Sequence, residues 1–353
     1  MNQDVSLTER QQRILQAVVK THITTAEAVG SRTVAKRMGF KLSPATVRNV
    51  MADLEEMGYV RQPHTSAGRV PTDSGYRVYV DTLMEIYEVD PEEQQRIEEL
   101  YRPKVKEIEE LMELSSGLLS ILTHYIAVVQ TPKIELETIK HVELVPLFPE
   151  KMLIVLVTSI GDVRKRVAVL PQGMTEADVK QLTVFLNEKL YDLSFVAARS
   201  LLDWFNDPAN PLDEKLAQFA VKIMGEILGE AEPRGVYLDG MGKIFEQPEF
   251  RNVEQLRPVL RVLDEKRQLN DLLEWCLSGN EITGVCIRIG SENPLDDVRN
   301  CSIVVSPYRV CGRPTGAIGV IGPTRMEYSR ASSLVAFVAD KLGQVLTLLS
   351  GGE

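Results

Sequence analysis

The sequence predicts a multidomain α+β chain, with an N-terminal winged helix-turn-helix, an acidic helical connector and an α/β body that carries a helical insertion. Three observations predict it. Residues 8–58 read as helix, helix, short turn, helix, and run directly into a Gly-tipped basic hairpin. The charge changes sign near residue 80: residues 1–80 hold eleven Lys/Arg against seven Asp/Glu, and residues 81–118 hold four against twelve. Beyond residue 130, strand-like apolar runs occur both before and after a mainly helical middle.

The first helix is expected over residues 8–20. Thr8 caps it with Gln11 in the reciprocal position, and Ile14, Leu15, Val18 and Val19 form the buried face. A second helix is expected from Arg32 to Met38, stopped by Gly39. The third is the best signalled. Ser43 caps it, Pro44 takes the first helical position, Val47, Val50, Met51 and Leu54 repeat at helical spacing, and Gly58 ends it. Thr46, Arg48 and Asn49 lie mostly off the apolar face, so the N-terminal part of this helix can meet a phosphate or a base edge. In the hairpin that follows, Arg61, His64 and Arg69 supply positive charge, while Ser66, Ala67 and Gly68 keep the tip small enough for a minor groove.

Tyr76 to Met84 reads as a packing helix. Arg77 within it suits either a phosphate or a salt bridge to the acidic run that follows. Residues 91–130 form a charged helical stretch interrupted by Pro103, which argues against a sustained coiled coil. Strands are expected at Leu136–Leu147, Met152–Val157 and Val163–Leu170, followed by a helix from Thr175 or Glu176. Residues 191–278 read as mostly helical, with a short strand at 235–240. The chain closes with strands at 282–289, 301–305 and 317–321 and a final helix over 332–349. The boundaries that follow are 1–80 for the winged helix, 81–130 for the connector, 131–190 and 279–353 for the two parts of the body, and 191–278 for the insertion.

Composition sets limits on function. A net charge of -10 over 353 residues argues against a protein that coats nucleic acid throughout, while leaving room for one basic module. No stretch reads as a membrane span, and the N-terminus does not read as a signal peptide, so the expected compartment is the cytoplasm. Cys276, Cys286, Cys301 and Cys311 have neither metal-site spacing nor a neighbouring histidine, and are expected as buried thiols. His124 and His141 lack ligand companions and are expected to be structural, His22 is expected as a surface residue near the DNA module, and Asp239 beside Gly240 reads as a turn. No nucleophile–base–acid set emerges, so an enzyme is not expected. Thr324-Arg-Met-Glu-Tyr328 is unexplained by any of this, although Arg325 and Glu327 suit a contact with another domain.

Two stretches together carry a resemblance. His64-Thr-Ser-Ala-Gly-Arg-Val-Pro-Thr-Asp-Ser-Gly-Tyr-Arg-Val-Tyr-Val80, preceded by the helix Ser43–Gly58, and Gly319-Val-Ile-Gly-Pro-Thr-Arg-Met-Glu-Tyr328 are similar to the HrcA family of bacterial heat-inducible transcription repressors. The resemblance implies a GAF-like body with an inserted dimerisation domain, and a homodimer without a cofactor. It also implies binding to the inverted repeat called CIRCE upstream of groESL and dnaK operons, with activity maintained by the chaperonin GroEL. Expected DNA-binding residues are Ser43, Thr46, Arg48 and Asn49 in the third helix, and Arg61, His64, Thr65 and Arg69 in the wing. Arg32, Lys36 and Lys41 are expected against phosphates. Ser43 and Thr46 are alternatively spent on local capping. The competing functional reading is a winged-helix regulator controlled by a small ligand in the GAF-like domain. A second competitor is an assembly protein that binds no nucleic acid.

Overall fold

The computed structural model describes residues 7–37, 42–65, 67–101, 108–132, 138–147, 150–159, 163–205, 212, 214–228, 235–278 and 284–349. The N-terminal head is built from α1 (Glu9–Thr25), α2 (Ser31–Arg37) and α3 (Pro44–Glu56), then the hairpin β1 (Val60–Arg61) and β2 (Val70–Pro71), then α4 (Asp73–Val78). The local signals act as expected. Thr8 and Gln11 form the reciprocal cap of α1, and Ser43 accepts from the Thr46 amide at the start of α3. Gly58 takes φ +80° just beyond α3, a conformation that costs a glycine little. Ile14, Leu15, Val18 and Val19 pack with Val34, Val47, Met51 and Leu54 as one core.

After α4 the chain makes one π turn, Tyr79–Leu83. It continues as α5 (Pro91–Leu100) and α6 (Ile108–Thr123); the expected break at Pro103 lies outside the described residues. The body is a five-stranded antiparallel sheet in the order β7-β3-β10-β9-β8, from β3 (Ile126–Gln130), β7 (Val236–Asp239), β8 (Cys286–Ile289), β9 (Cys301–Val310) and β10 (Arg313–Pro323). Alternation along the strands gives the sheet two apolar faces. Ala127, Val129, Val304, Ile318 and Val320 face α6 and α12 (Tyr328–Leu349), in the same continuous core as the head. Ile126, Val128, Ile303, Val305 and Ile321 face α10 (Val253–Asp264) and α11 (Lys266–Leu277). Each fully buried aliphatic side chain contributes about 1.5–3 kcal/mol relative to exposure.

A second sheet of three strands, β4 (Ile139–Leu147), β5 (Lys151–Thr158) and β6 (Val163–Val169), packs one face on α7 (Glu176–Leu190), α8 (Phe195–Phe205) and α9 (Glu214–Leu228), with a core of its own. This corrects the expected layout in three ways. The interruption of the main sheet spans β4 to α9, not residues 191–278, because, among the described residues, the strands at 139–169 pair with one another and not with the main sheet. β7, α10 and α11, expected in the insertion, belong to the main body. β3, expected in the connector, is an interior strand with every residue buried. Periodicity identifies a strand but does not select its neighbour.

Two further expectations change. By length and composition α12 is apolar enough to cross a membrane; its Leu334, Val335, Val338, Leu342 and Leu346 are buried against β9 and α6 instead. The cysteines are not uniformly buried. Cys276 and Cys301 are, Cys286 is half-buried, and Cys311 is exposed. Cys311 and Gly312, at φ 49° and 78°, form the two-residue turn joining β9 to β10, so the thiol projects from a hairpin tip.

Candidate nucleic-acid interface

The apolar stripe of α3 turns its other side outward. Ala45, Arg48 and Asn49 are exposed and Thr46 is half-buried. Ser43 and Thr46 partly satisfy each other, with 3.0 Å between their hydroxyl oxygens, and Ser43 also caps the Thr46 amide at 3.1 Å. The capping alternative for these two hydroxyls is therefore realised in the free protein. Arg32 and Lys36 are exposed on α2, and Arg61, His64 and Thr65 are exposed on the wing. Lys41 lies outside the described residues. The fold thus brings Arg48, Asn49, Arg61, His64 and Thr65 into one small domain with their side chains in solvent, an arrangement that suits a helix in the major groove and a hairpin beside it.

Arg69, expected among the DNA-binding residues of the wing, is engaged within the head. It pairs with Glu55 of α3, 2.7 Å from Nη2 to Oε2, and only 20% of its side chain is exposed. Its main chain is fixed as well, exchanging hydrogen bonds with Val29 at 2.8 and 2.9 Å. Gly68 is required beside it, since a Cβ there would lie 2.4 Å from the Val29 carbonyl. Sequence reasoning missed Glu55, Gln62 and Val29, because they acquire a role only when the hairpin folds back on α3 and on the α1–α2 junction. Glu55 also accepts from the Gln62 amide at 3.0 Å, and the Gln62 side chain donates to the Thr65 and Ala67 carbonyls at 3.0 and 2.9 Å.

The two sequence stretches that stood out meet at the seam between head and body. In α4, Arg77 donates from Nε to Glu292 at 2.8 Å and from Nη2 to the Ile287 carbonyl at 2.7 Å, and it also pairs with Asp81. Hydrogen bonding to Glu292 is the largest influence on its guanidinium and holds it firmly protonated. Asp73 accepts from the Ser291 amide at 2.8 Å. On the body side, Arg325 pairs with Glu249, donates to Gln247 Oε1 at 3.1 Å and reaches the Ile23 carbonyl of α1. Between these two anchors His22 Nδ1 lies 2.6 Å from the Tyr76 hydroxyl, and Tyr76 packs on Tyr328, with ring centroids 5.8 Å apart. Burial, reinforced by Arg325 and Arg61 and opposed by Glu249, pushes the His22 imidazole down to about 4. Arg77 therefore meets the acidic run through Asp81, as one expected alternative had it, while its main partner is Glu292 of the body, and Arg325 makes the interdomain contact open to it in the sequence.

Among the described residues no group of three or more His, Cys, Asp or Glu is placed to hold a metal ion. His124 and His141 sit on the surface, and His141 pairs with Glu143.

Comparison with known proteins agrees with this architecture. The family model described as "Winged helix-turn-helix transcription repressor, HrcA DNA-binding" matches residues 6–84, and "HrcA protein C terminal domain" matches residues 109–331. The chain is 40% identical over 350 residues to the heat-inducible transcription repressor HrcA of Pelotomaculum thermopropionicum, covering 99% of each chain. It is 38% identical over 343 residues to that of Brevibacillus brevis, covering 97% of this chain and 98% of the other. A crystal structure of a hypothetical protein has a similar fold, with a TM-score of 0.65 and 22% identity, covering 98% of this chain and 100% of that one. With both of its parts matched and its relatives aligned end to end, the chain belongs to the HrcA family.

Proposed function

We propose that this protein is a heat-inducible transcription repressor that reads an inverted-repeat operator as a homodimer. The observation that carries this reading is the solvent-facing set Arg48, Asn49, Arg61, His64 and Thr65 on a winged-helix head, in a chain of a family whose members bear that name. Asn49 suits an adenine edge and Arg48 a guanine edge or a phosphate, with the wing beside them and Arg32 and Lys36 against the backbone. One such head discriminates few base pairs, whereas two related by a two-fold axis match an inverted repeat and combine their affinities.

The second copy needs a surface, and the open face of the three-stranded sheet suits it. Val142, Leu144, Met152, Ile154, Leu156 and Ala168 of that sheet are buried on the helices. The odd-numbered Val145, Leu153, Val155, Val157, Val167 and Val169 project the other way, and Val167 and Val169 are 57% and 58% exposed. The apolar part of this face, which also carries His141, Glu143, Lys151 and Lys165, suits an interaction site. In this reading the unit from β4 to α9 is the dimerisation domain, and the antiparallel sheet covered on both faces is the GAF-like body. The targets are the CIRCE repeats of chaperone operons, and GroEL is the protein that keeps the repressor active.

The test is a titration of the purified protein against the inverted repeat and a scrambled duplex, at fixed salt, with and without GroEL. Selective binding that GroEL strengthens is expected. Equal binding to both duplexes by a folded dimer overturns the repressor reading.

A further inference from the structure

We infer that Gln62 is a positioning residue for operator binding: its side-chain amide braces the wing so that His64 and Thr65 are presented to DNA. The inference rests on the repressor reading above and goes beyond it, because Gln62 is given a role in which it need not touch DNA.

The geometry points this way from several sides. β1 and β2 pair through only two residues each, too short a ladder to hold an eight-residue connection by itself. The loop is held instead by side chains. Gln62 Nε2 donates across the loop to the Thr65 and Ala67 carbonyls. The Ala67 amide closes a turn onto the His64 carbonyl at 2.8 Å. On the return side, the exchange between Arg69 and Val29 fixes the backbone. Glu55 links both sides to α3, using one carboxylate oxygen for the Gln62 amide and the other for Arg69. Gln62 is half-buried beneath the loop, whereas His64 and Thr65 are exposed on it. The wing is thus tied to the C-terminal end of the helix whose N-terminal part faces solvent, which places the two reading elements in one fixed relation.

Preorganisation of this kind removes an ordering cost that binding would otherwise carry. The side chain is suited to it because only a primary amide of this length supplies two N–H groups to two carbonyls while carrying no charge into the DNA-facing surface.

The experiment uses the full-length protein with Gln62→Ala and Gln62→Glu, each alone and combined with His64→Ala and Thr65→Ala. Gln62→Glu keeps the shape of the side chain but replaces the donor with an oxygen that repels both carbonyls. Either change alone is expected to weaken operator binding about three- to tenfold at fixed salt, on the scale of one or two lost hydrogen bonds. In the background lacking both wing side chains, Gln62→Ala is expected to add less than about twofold, because there is no longer a wing contact to misplace. Full additivity would mean that Gln62 contacts DNA directly, and no loss in the single variants would mean that the brace is dispensable; either overturns the inference. Amide hydrogen exchange of His64, Thr65, Ala67 and Gly68 in the free protein is the second readout. Faster exchange in Gln62→Ala, with the rest of the head unchanged, is expected, and unchanged protection overturns the brace. Failure of the wild-type protein to prefer the inverted repeat overturns the repressor reading itself, while the exchange experiment still decides whether Gln62 orders the loop.

Discussion

Arg325 and Ile23 lie 302 positions apart in sequence, and one hydrogen bond joins them: Arg325 Nη1 donates to the Ile23 carbonyl at 3.1 Å. The same guanidinium pairs with Glu249 and bonds Gln247, so a single side chain ties α1 to the body segment beside α10. Only 14% of the Arg325 side chain is exposed, which distinguishes this pair from an ordinary surface salt bridge. Replacing Arg325 with Met keeps the stem but leaves Glu249 and the Ile23 carbonyl without their donor. We expect a loss of about 1–3 kcal/mol, seen in calorimetry as a lower transition for the head. An unchanged thermogram would mean the contact contributes nothing.

His22 gives the head a defined pH dependence. Its imidazole is pushed down to about 4 in the folded protein from an ordinary 6.5, with burial as the main cause. The unfolded chain therefore binds a proton that the folded chain excludes. The contribution is whole above about pH 6.5 and is lost as the pH falls toward 4. Tyr76, Arg325, Arg61 and Glu249 are the groups facing it. Unfolding midpoints measured from pH 7.5 to 4.5 should fall less steeply in His22→Phe than in the wild type, and parallel curves would rule out this assignment.

Two glycines should respond to alanine in opposite directions. At Gly75 in α4, a Cβ would lie 2.0 Å from the Tyr59 carbonyl oxygen, a contact with backbone that cannot move cheaply. Gly75→Ala should destabilise the head by about 2–4 kcal/mol, the range of severe packing conflicts. At Gly225 in α9, a Cβ would have no atom within 4 Å and would sit in ordinary helical surroundings. Gly225→Ala should raise stability by about 0.5–1 kcal/mol through helix propensity and a less flexible unfolded chain. Chemical denaturation of both variants checks the pair.

The open sheet face predicts a charge-sensitive dimer. Val167 on β6 lies opposite Leu153 on β5, in the middle of that face. Val167→Asp should shift sedimentation toward monomer and weaken binding to the full inverted repeat more than to a half-site, with the folded core of the subunit retained. An intact dimer would move the interface elsewhere.

The thiols should separate by reactivity. Burial pushes Cys276 and Cys301 up to about 12, so neither supplies thiolate near neutral pH, whereas Cys311 stands exposed on its hairpin. A maleimide applied to the native protein should modify Cys311 first, and Cys276 and Cys301 only after unfolding, as read by peptide mass mapping.

What was legible in the sequence was local. The Thr8–Gln11 cap, the Ser43–Pro44 start of α3, the Gly58 stop and the outward placement of Arg48 and Asn49 depend on neighbours within a turn or two of helix, and short-range sterics and hydrogen bonding determine them. The family was legible for the same reason, since its two motifs are contiguous stretches. Tertiary structure alone decided which strands share a sheet, and so moved the insertion to the unit from β4 to α9 and made β3 an interior strand. It also decided that Arg69 turns to Glu55, that Arg77 meets Glu292 across 215 positions, and that Arg325 joins body to head. An arginine's stem and charge allow a phosphate, a carboxylate or a carbonyl equally well. Which one it meets depends on what the folded chain brings within about 3 Å, and that distance is a property of the whole packing, with no trace in the spacing of the residues themselves.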